Sequence, residues 1–150
     1  MTEIDLGALA REVCAEWVPR ALERNLDLGM TPAEDGIRIR GNAMLLRELV
    51  ANLLDNAIRY TPAPGHVTLS LVADARHAEM AVEDDGPGIP SAERSRVFER
   101  FHRLPESGGD GCGLGLAIVR EIADAHGASV RIDDGANGRG TRVSVRFARL

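Results

Sequence analysis

An aspartate ends an otherwise apolar alternation in the middle of the chain. Ala78, Met80 and Val82 point one way along a strand, and Asp84 continues their phase. The pattern sets a carboxylate facing inward at the mouth of a core, where it needs a donor because an unpaired buried carboxylate is costly. Nearby backbone N–H groups would make it a structural residue, and a ligand donor would make it a recognition residue. Asp85-Gly86-Pro87-Gly88-Ile89-Pro90 follows at once. Its two glycines let backbone pass close to a flat ligand, and its prolines hold the turn.

Asn52 and Asn56 stand one helical turn apart at the border of an apolar helix face, with Arg59 and Tyr60 at the helix end. Two such carboxamides are ordinary on a helix surface; they also suit a magnesium-bound triphosphate, with a side-chain oxygen on the metal and a cation on the phosphates. A third cluster, Gly111-Cys112-Gly113-Leu114-Gly115-Leu116-Ala117-Ile118, opens a helix. Loop glycines expose N–H groups there and the helix start adds a positive dipole end, which favours a phosphate. The spacing is neither that of a P-loop nor that of a Rossmann fingerprint. Thr141, after Gly138-Arg139-Gly140, shares the inward phase of Val143, Val145 and Phe147, so its hydroxyl is expected to face the interior that Asp84 faces.

These groups must be carried by elements that the periodicity predicts. Residues 5–24 have apolar positions at helical spacing, with Pro19 expected to bend or interrupt the helix near its end. Residues 26–30 and 37–40 read as short strands around a turn at 32–36. Asn42 caps a helix reaching Tyr60, whose apolar positions 45, 46, 49, 50, 53, 54, 57 and 58 form one broad buried face. Residues 67–73 and 78–82 alternate around a turn at 74–77, a hairpin. Ser91 is expected to cap a short helix containing Val97 and Phe98. Residues 104–113, five of them Gly or Pro, read as a mobile loop. A helix over 114–126 closes at Gly127, and strands at 129–133 and 141–147 flank a turn at 135–140. Helices and mostly antiparallel strands in mixed order predict an α+β two-layer sandwich, its sheet covered by helices on one face.

The 150 residues suit one domain spanning 1–150, large enough to bury a core without staples. Lys and Arg number 18 against 23 Asp and Glu, a net charge of -5, which argues against a nucleic-acid binder. Cys14 and Cys112 form no CxxC pair, so neither a disulfide nor a zinc site is expected, in keeping with a reducing cytosol. No apolar run reaches the length of a membrane span, and direct membrane contact is not expected.

Five segments together resemble the boxes of sensor histidine kinases. Residues 48–61 (ELVANLLDNAIRYT) resemble the N box, 84–90 (DDGPGIP) the first glycine box and 97–103 (VFERFHR) the F box. Residues 111–119 (GCGLGLAIV) resemble the second glycine box, and 138–141 the last. The resemblance implies the Bergerat ATP-binding fold, with ATP and Mg²⁺ as cofactors. By position, Asp84 would accept from the adenine amino group and Asn56 would hold magnesium, with Asn52 near the phosphates. Arg59 and Arg103 would meet the phosphates, and Tyr60 would pack near the nucleotide. Gly86, Gly88 and Ile89 would border the base. Gly111, Gly113, Leu114, Gly115 and Leu116 would shape the phosphate end, with 104–111 as the lid, and Thr141 would support the adenine pocket.

The superfamily's ATP-hydrolysing members place a glutamate one turn before the magnesium asparagine, as general base for water. Here that position is Asn52, a poor base, in agreement with phosphoryl transfer. Cys112 is a mild departure, since the family more often has Thr or Ser there. His66, His77, His102 and His126 lack the sequence context of the family's phosphoacceptor. The resemblance therefore implies a chain that binds ATP without phosphorylating itself, serving a dimerisation and histidine-phosphotransfer domain elsewhere in its parent. A response regulator receiver domain would be the onward partner. The expected setting is cytoplasmic, in a parent held in the bacterial inner membrane; the start at Met1, inside an amphipathic segment, reads as a piece of that longer protein. A stand-alone serine kinase acting as an anti-sigma factor is the alternative within the same fold.

Overall fold

The computed structural model describes residues 1–88, 92, 94, 115–135 and 138–150. The expected helix after Ser91, the 104–113 loop, and Ile89, Arg103, Gly111, Cys112, Gly113 and Leu114 lie outside the described residues. The order is β1 (Thr2–Asp5), α1 (Leu6–Glu23), β2 (Leu26–Met30), β3 (Arg38–Gly41), α2 (Ala43–Tyr60), β4 (Gly65–Ala73), β5 (His77–Asp84), α3 (Gly115–Ala125), β6 (Ser129–Asp134) and β7 (Thr141–Ala148).

A five-stranded sheet runs β2-β4-β5-β7-β6, with β2 parallel to β4 and the other neighbours antiparallel. Its inward face is a grid of cross-strand rows. Ala73, Ala78 and Phe147 form one row, Leu71, Met80 and Val145 the next, and Leu69, Val82 and Val143 a third. All nine side chains but that of Ala73 are buried. The fourth row is Val67, Asp84 and Thr141, so the predicted phase places the carboxylate at the rim of this greasy face. The outward face is polar, with Glu83 opposite Arg142 and Glu79 opposite Arg146.

Helix α2 supplies the facing layer. Asn42 caps it, its Oδ1 accepting from the Leu45 N–H at 3.1 Å, and Leu46, Leu49, Val50, Leu53, Leu54, Ala57 and Ile58 are buried against the sheet and neighbouring helices. Each of the leucine, valine and isoleucine side chains contributes roughly 1.5–3 kcal/mol when removed from water. Helix α3 packs on α2 and stops at Gly127, whose φ of 64° is left-handed. Ala128 N–H reaches the Ala123 carbonyl at 2.9 Å and Gly127 N–H the Asp124 carbonyl at 3.1 Å, a Schellman ending. His126 fastens that end to the start of α2. Its Nδ1–H donates to the Ile122 carbonyl at 2.8 Å while Nε2 accepts the Asn42 N–H at 3.1 Å.

Three sequence expectations change. Residues 2–4, unassigned by periodicity, form β1 together with Asp5, which is expected as the start of the helix and instead caps α1 by accepting from the Ala8 N–H at 3.1 Å. Pro19 does not end α1, which continues to Glu23; the prolyl nitrogen forgoes one bond four residues from the terminus, where few remain to lose. The strands on either side of the 32–36 turn are not paired. β2 joins β4, whereas β3 pairs antiparallel with β1 in a separate two-stranded sheet.

Candidate functional site

Two groups of side chains converge on the end of the sheet where β4 begins and β5 ends. The first centres on Asp84. Its Oδ1 accepts the Gly86 N–H at 2.9 Å, and the Thr141 backbone N–H also bonds the carboxylate. Burial nevertheless pushes its pKa up to about 6, against those two bonds and with further help from the charges of Asp85 and Glu83. The carboxyl is thus neither stripped of partners nor fully satisfied, and it faces inward at a rim. Gly86 is closely packed: a Cβ there would stand 3.1 Å from Asp84 Oδ1 and 3.3 Å from the Tyr60 carbonyl, so those groups would have to give way by a few tenths of an ångström. Gly140, at a φ of 74°, lies so close to the Asp84 carbonyl that an added Cβ would collide with that oxygen. Turn 85–88, the end of α2 and the start of β7 are therefore packed backbone to backbone around one carboxylate.

The second group lies on α2. Asn52 donates through Nδ2 to the Glu48 carbonyl at 2.8 Å. A Cβ built on Gly115, the first residue of α3, would meet Asn52 Oδ1 at 3.8 Å and Asn56 Oδ1 at 3.9 Å. Both amide oxygens thus face the N-terminal, positive end of α3. Among the described residues no cluster of three or more His, Cys, Asp or Glu could hold a metal ion. The available oxygen donor is the Asn56 carboxamide, with Asn52 beside it. That set suits Mg²⁺, which keeps several waters and takes one or two protein oxygens together with substrate phosphates.

The structure thus brings Asn52, Asn56 and Gly115 together, and separately Asp84, Gly86, Thr141 and the Tyr60 backbone. Leu116 is buried behind the α3 start, and Gly88, with a φ of 84°, approaches Gly140. Arg59 brings a partner that sequence reasoning missed. Its Nε donates to both carboxylate oxygens of Asp55, at 3.0 and 3.1 Å, one turn back on α2. The i,i+4 spacing was the available signal. A polar hollow of about 420 Å³ lined by His66, Thr68, Glu83, Asp85 and Arg139, among others, opens nearby. Thr68 and Glu83 are register partners one step out of phase with the buried Val67 and Val82, so this hollow opens on the outward face and reaches Asp84 at the rim.

A two-layer sandwich of this topology, with a rim carboxylate, a glycine turn and paired carboxamides at a helix start, is the arrangement expected of a Bergerat-type ATP-binding domain, and the comparisons with known proteins bear out that class of fold. Residues 41–149 match the family described as histidine kinase-, DNA gyrase B-, and HSP90-like ATPase. The chain is 36% identical over 143 residues to the sensor protein kinase PmrB of Pseudomonas aeruginosa, covering 95% of this chain and 30% of that protein. The solved mycobacterial sensor histidine kinase MprB superposes with a TM-score of 0.84 at 33% identity, over 98% of this chain and 97% of that one. ShkA, solved full-length in complex with AMPPNP, gives 0.82 at 30% identity, over 99% of this chain and 31% of that one. The chain belongs to this ATPase family, as a histidine kinase catalytic domain. It spans under a third of the length of the curated relative PmrB.

Proposed function

We propose that residues 1–150 form one ATP-binding unit that holds Mg-ATP and presents its γ-phosphate to a histidine on a dimerisation domain outside this segment. A response regulator receives the phosphoryl group onward. The observation that carries the reading is that α2 touches both groups: its C-terminal end packs on the Gly86 turn beside the rim carboxylate of Asp84, suited to the base, and its Asn52 and Asn56 oxygens face the start of α3, suited to the phosphate end. Asp84 accepts from the adenine amino group, and Gly86 and Gly88 let the ring approach the backbone. Asn56 supplies an oxygen to Mg²⁺, which when bound neutralises phosphate charge. Arg59 meets the phosphates. Asn52 is a neutral carboxamide already donating to Glu48, so it takes no proton from water. That favours transfer over hydrolysis, and the chain's contribution is positioning and charge neutralisation. No helix of the described residues is long and apolar enough to cross a membrane. We place the domain on the cytoplasmic side of a parent anchored in the inner membrane.

Calorimetry tests the binding step. ATP analogues bind with Mg²⁺ present, EDTA lowers their affinity roughly tenfold or more, and Mg²⁺ titrated alone gives no saturable heat at about 1 mM. Saturable metal binding without nucleotide would contradict a site completed by the phosphates. The transfer step is tested by adding the parent's acceptor-bearing helical domain with labelled ATP. Label lost in acid marks phosphohistidine; acid-stable label would instead identify a serine kinase.

A further inference from the structure

The β4–β5 ladder ends at Val67 opposite Asp84. One residue further on, where backbone pairing should lapse, three polar contacts continue it. The Asp85 N–H donates to the His66 carbonyl at 3.3 Å. Asp85 Oδ1 accepts the His66 N–H at 2.8 Å, and Oδ2 meets His66 Nδ1 at 2.9 Å. Gly65 makes room for this carboxylate, since a Cβ there would lie 2.9 Å from Asp85 Oδ1 and 2.8 Å from the Pro62 carbonyl. The next residue of the turn, Gly86, packs on Tyr60 and Thr61 at the end of α2 and donates its N–H to Asp84. We infer that Asp85 and His66 act as one positioning pair, tying the turn that reads the adenine to the start of β4.

The pair touches no nucleotide in this reading; it acts through Gly86 and Asp84. The inference therefore rests on Asp84 being the base-recognition residue. Its effect has a particular shape. A loosened turn weakens everything held at the base, whatever phosphates are attached, whereas a defect near Asn56 or Arg59 weakens ATP selectively. A second signature is electrostatic. Asp84 faces Asp85 and Glu83 from its own segment, and Glu83 is paired with Arg142 of β7. Asp85 faces His66 of β4, which in turn faces Asp27 of β2, and Arg139 lines the same hollow. Replacing the Asp85 charge removes a repulsion felt by the Asp84 carboxylate, so Asp84 ionises at lower pH.

Isothermal titration of ATP, ADP and adenosine against the chain distinguishes the outcomes. At pH 8, Asp85→Ala and His66→Ala are each expected to weaken all three ligands by the same factor, roughly five- to tenfold. The double variant should be no weaker than Asp85→Ala, because the His66 ring acts only through the Asp85 carboxylate. Asp85→Asn can still accept the His66 N–H and donate to its ring, so it should recover to within about twofold of the wild type. Its affinity should nevertheless persist to lower pH. Wild-type affinity in Asp85→Ala, additive losses, a loss confined to ATP, or an unmoved pH midpoint in Asp85→Asn would each overturn the inference. An Asp84→Asn control separates the two levels. If that variant binds normally, the base site itself is misassigned; if it binds weakly, any of those four results counts against the pair alone.

Discussion

Asp84→Asn is expected to weaken ATP binding on the order of a hundredfold, about 3 kcal/mol, and at the same time to make the protein more stable at pH 7.5. The binding loss follows from geometry. An Asn oxygen can still take the Gly86 N–H, but its amide NH₂ then faces the adenine amino group, donor against donor. The stability gain follows from linkage. Burial raises the folded-state pKa from the ordinary 3.8 to about 6, so between those values the native state binds more protons than the unfolded state. Stability therefore falls as pH rises through that window, and above about 6 the full penalty is present. It amounts to at most about 3 kcal/mol, less any relief from water at the rim. Asparagine carries no such charge penalty, a gain reduced in part where its NH₂ replaces an oxygen that could accept the Thr141 N–H. Thermal melts at pH 7.5 should show a midpoint several degrees higher for the variant, with the gap closing toward pH 4.5 as the wild-type carboxyl takes up its proton. Nucleotide affinity of the wild type should decline below about pH 6 for the same reason. A variant that melts lower at pH 7.5 and binds normally would remove Asp84 from the site.

The second large effect is expected from a pair of glycines only two residues apart. Gly138 and Gly140 both have left-handed φ, 72° and 74°. A Cβ on Gly138 meets nothing within 4 Å, whereas one on Gly140 would collide with the Asp84 carbonyl oxygen and stand 2.9 Å from Asp85 Cα. Gly138→Ala should thus cost only the conformational penalty, about 1 kcal/mol. Gly140→Ala adds a collision between two backbones that no rotamer relieves. Urea denaturation should show a loss of roughly 3–5 kcal/mol, with nucleotide binding lost as the ends of β5 and β7 part. Equal costs for the two variants would mean that the two backbones are not in contact at Gly140.

Much of this was legible in the residues because the sheet has one buried face. Strict alternation over β4, β5 and β7 fixed which side chains point inward, so the phase of Asp84 and Thr141 followed from residue order alone. The Asn42 cap and the eight-position apolar face gave α2 nearly to the residue. β1 was not legible, because its four residues show no apolar alternation and are held by pairing with β3, a partner more than thirty positions away. The same remoteness hid the separation of β2 from β3. At the site, residue types and local spacing revealed the carboxamides and glycine turns. The Asp85–His66 contact spans nineteen residues, and the reason for Gly140 is another strand's carbonyl, so neither leaves a local pattern. The Asp55–Arg59 pair does leave one, in its helical spacing.

The imidazole that joins the end of α3 to the cap of α2 is a cross-link between two helix ends. Its two ring nitrogens are engaged with Ile122 and Asn42, so the distal end is pinned, while Gly115 sits about 15 Å away along the axis. The two helices are therefore tied at one end by hydrogen bonds and along the rest of α3 by the packing of buried Leu116, Val119 and Ile122, which holds Gly115 opposite the Asn52 and Asn56 oxygens.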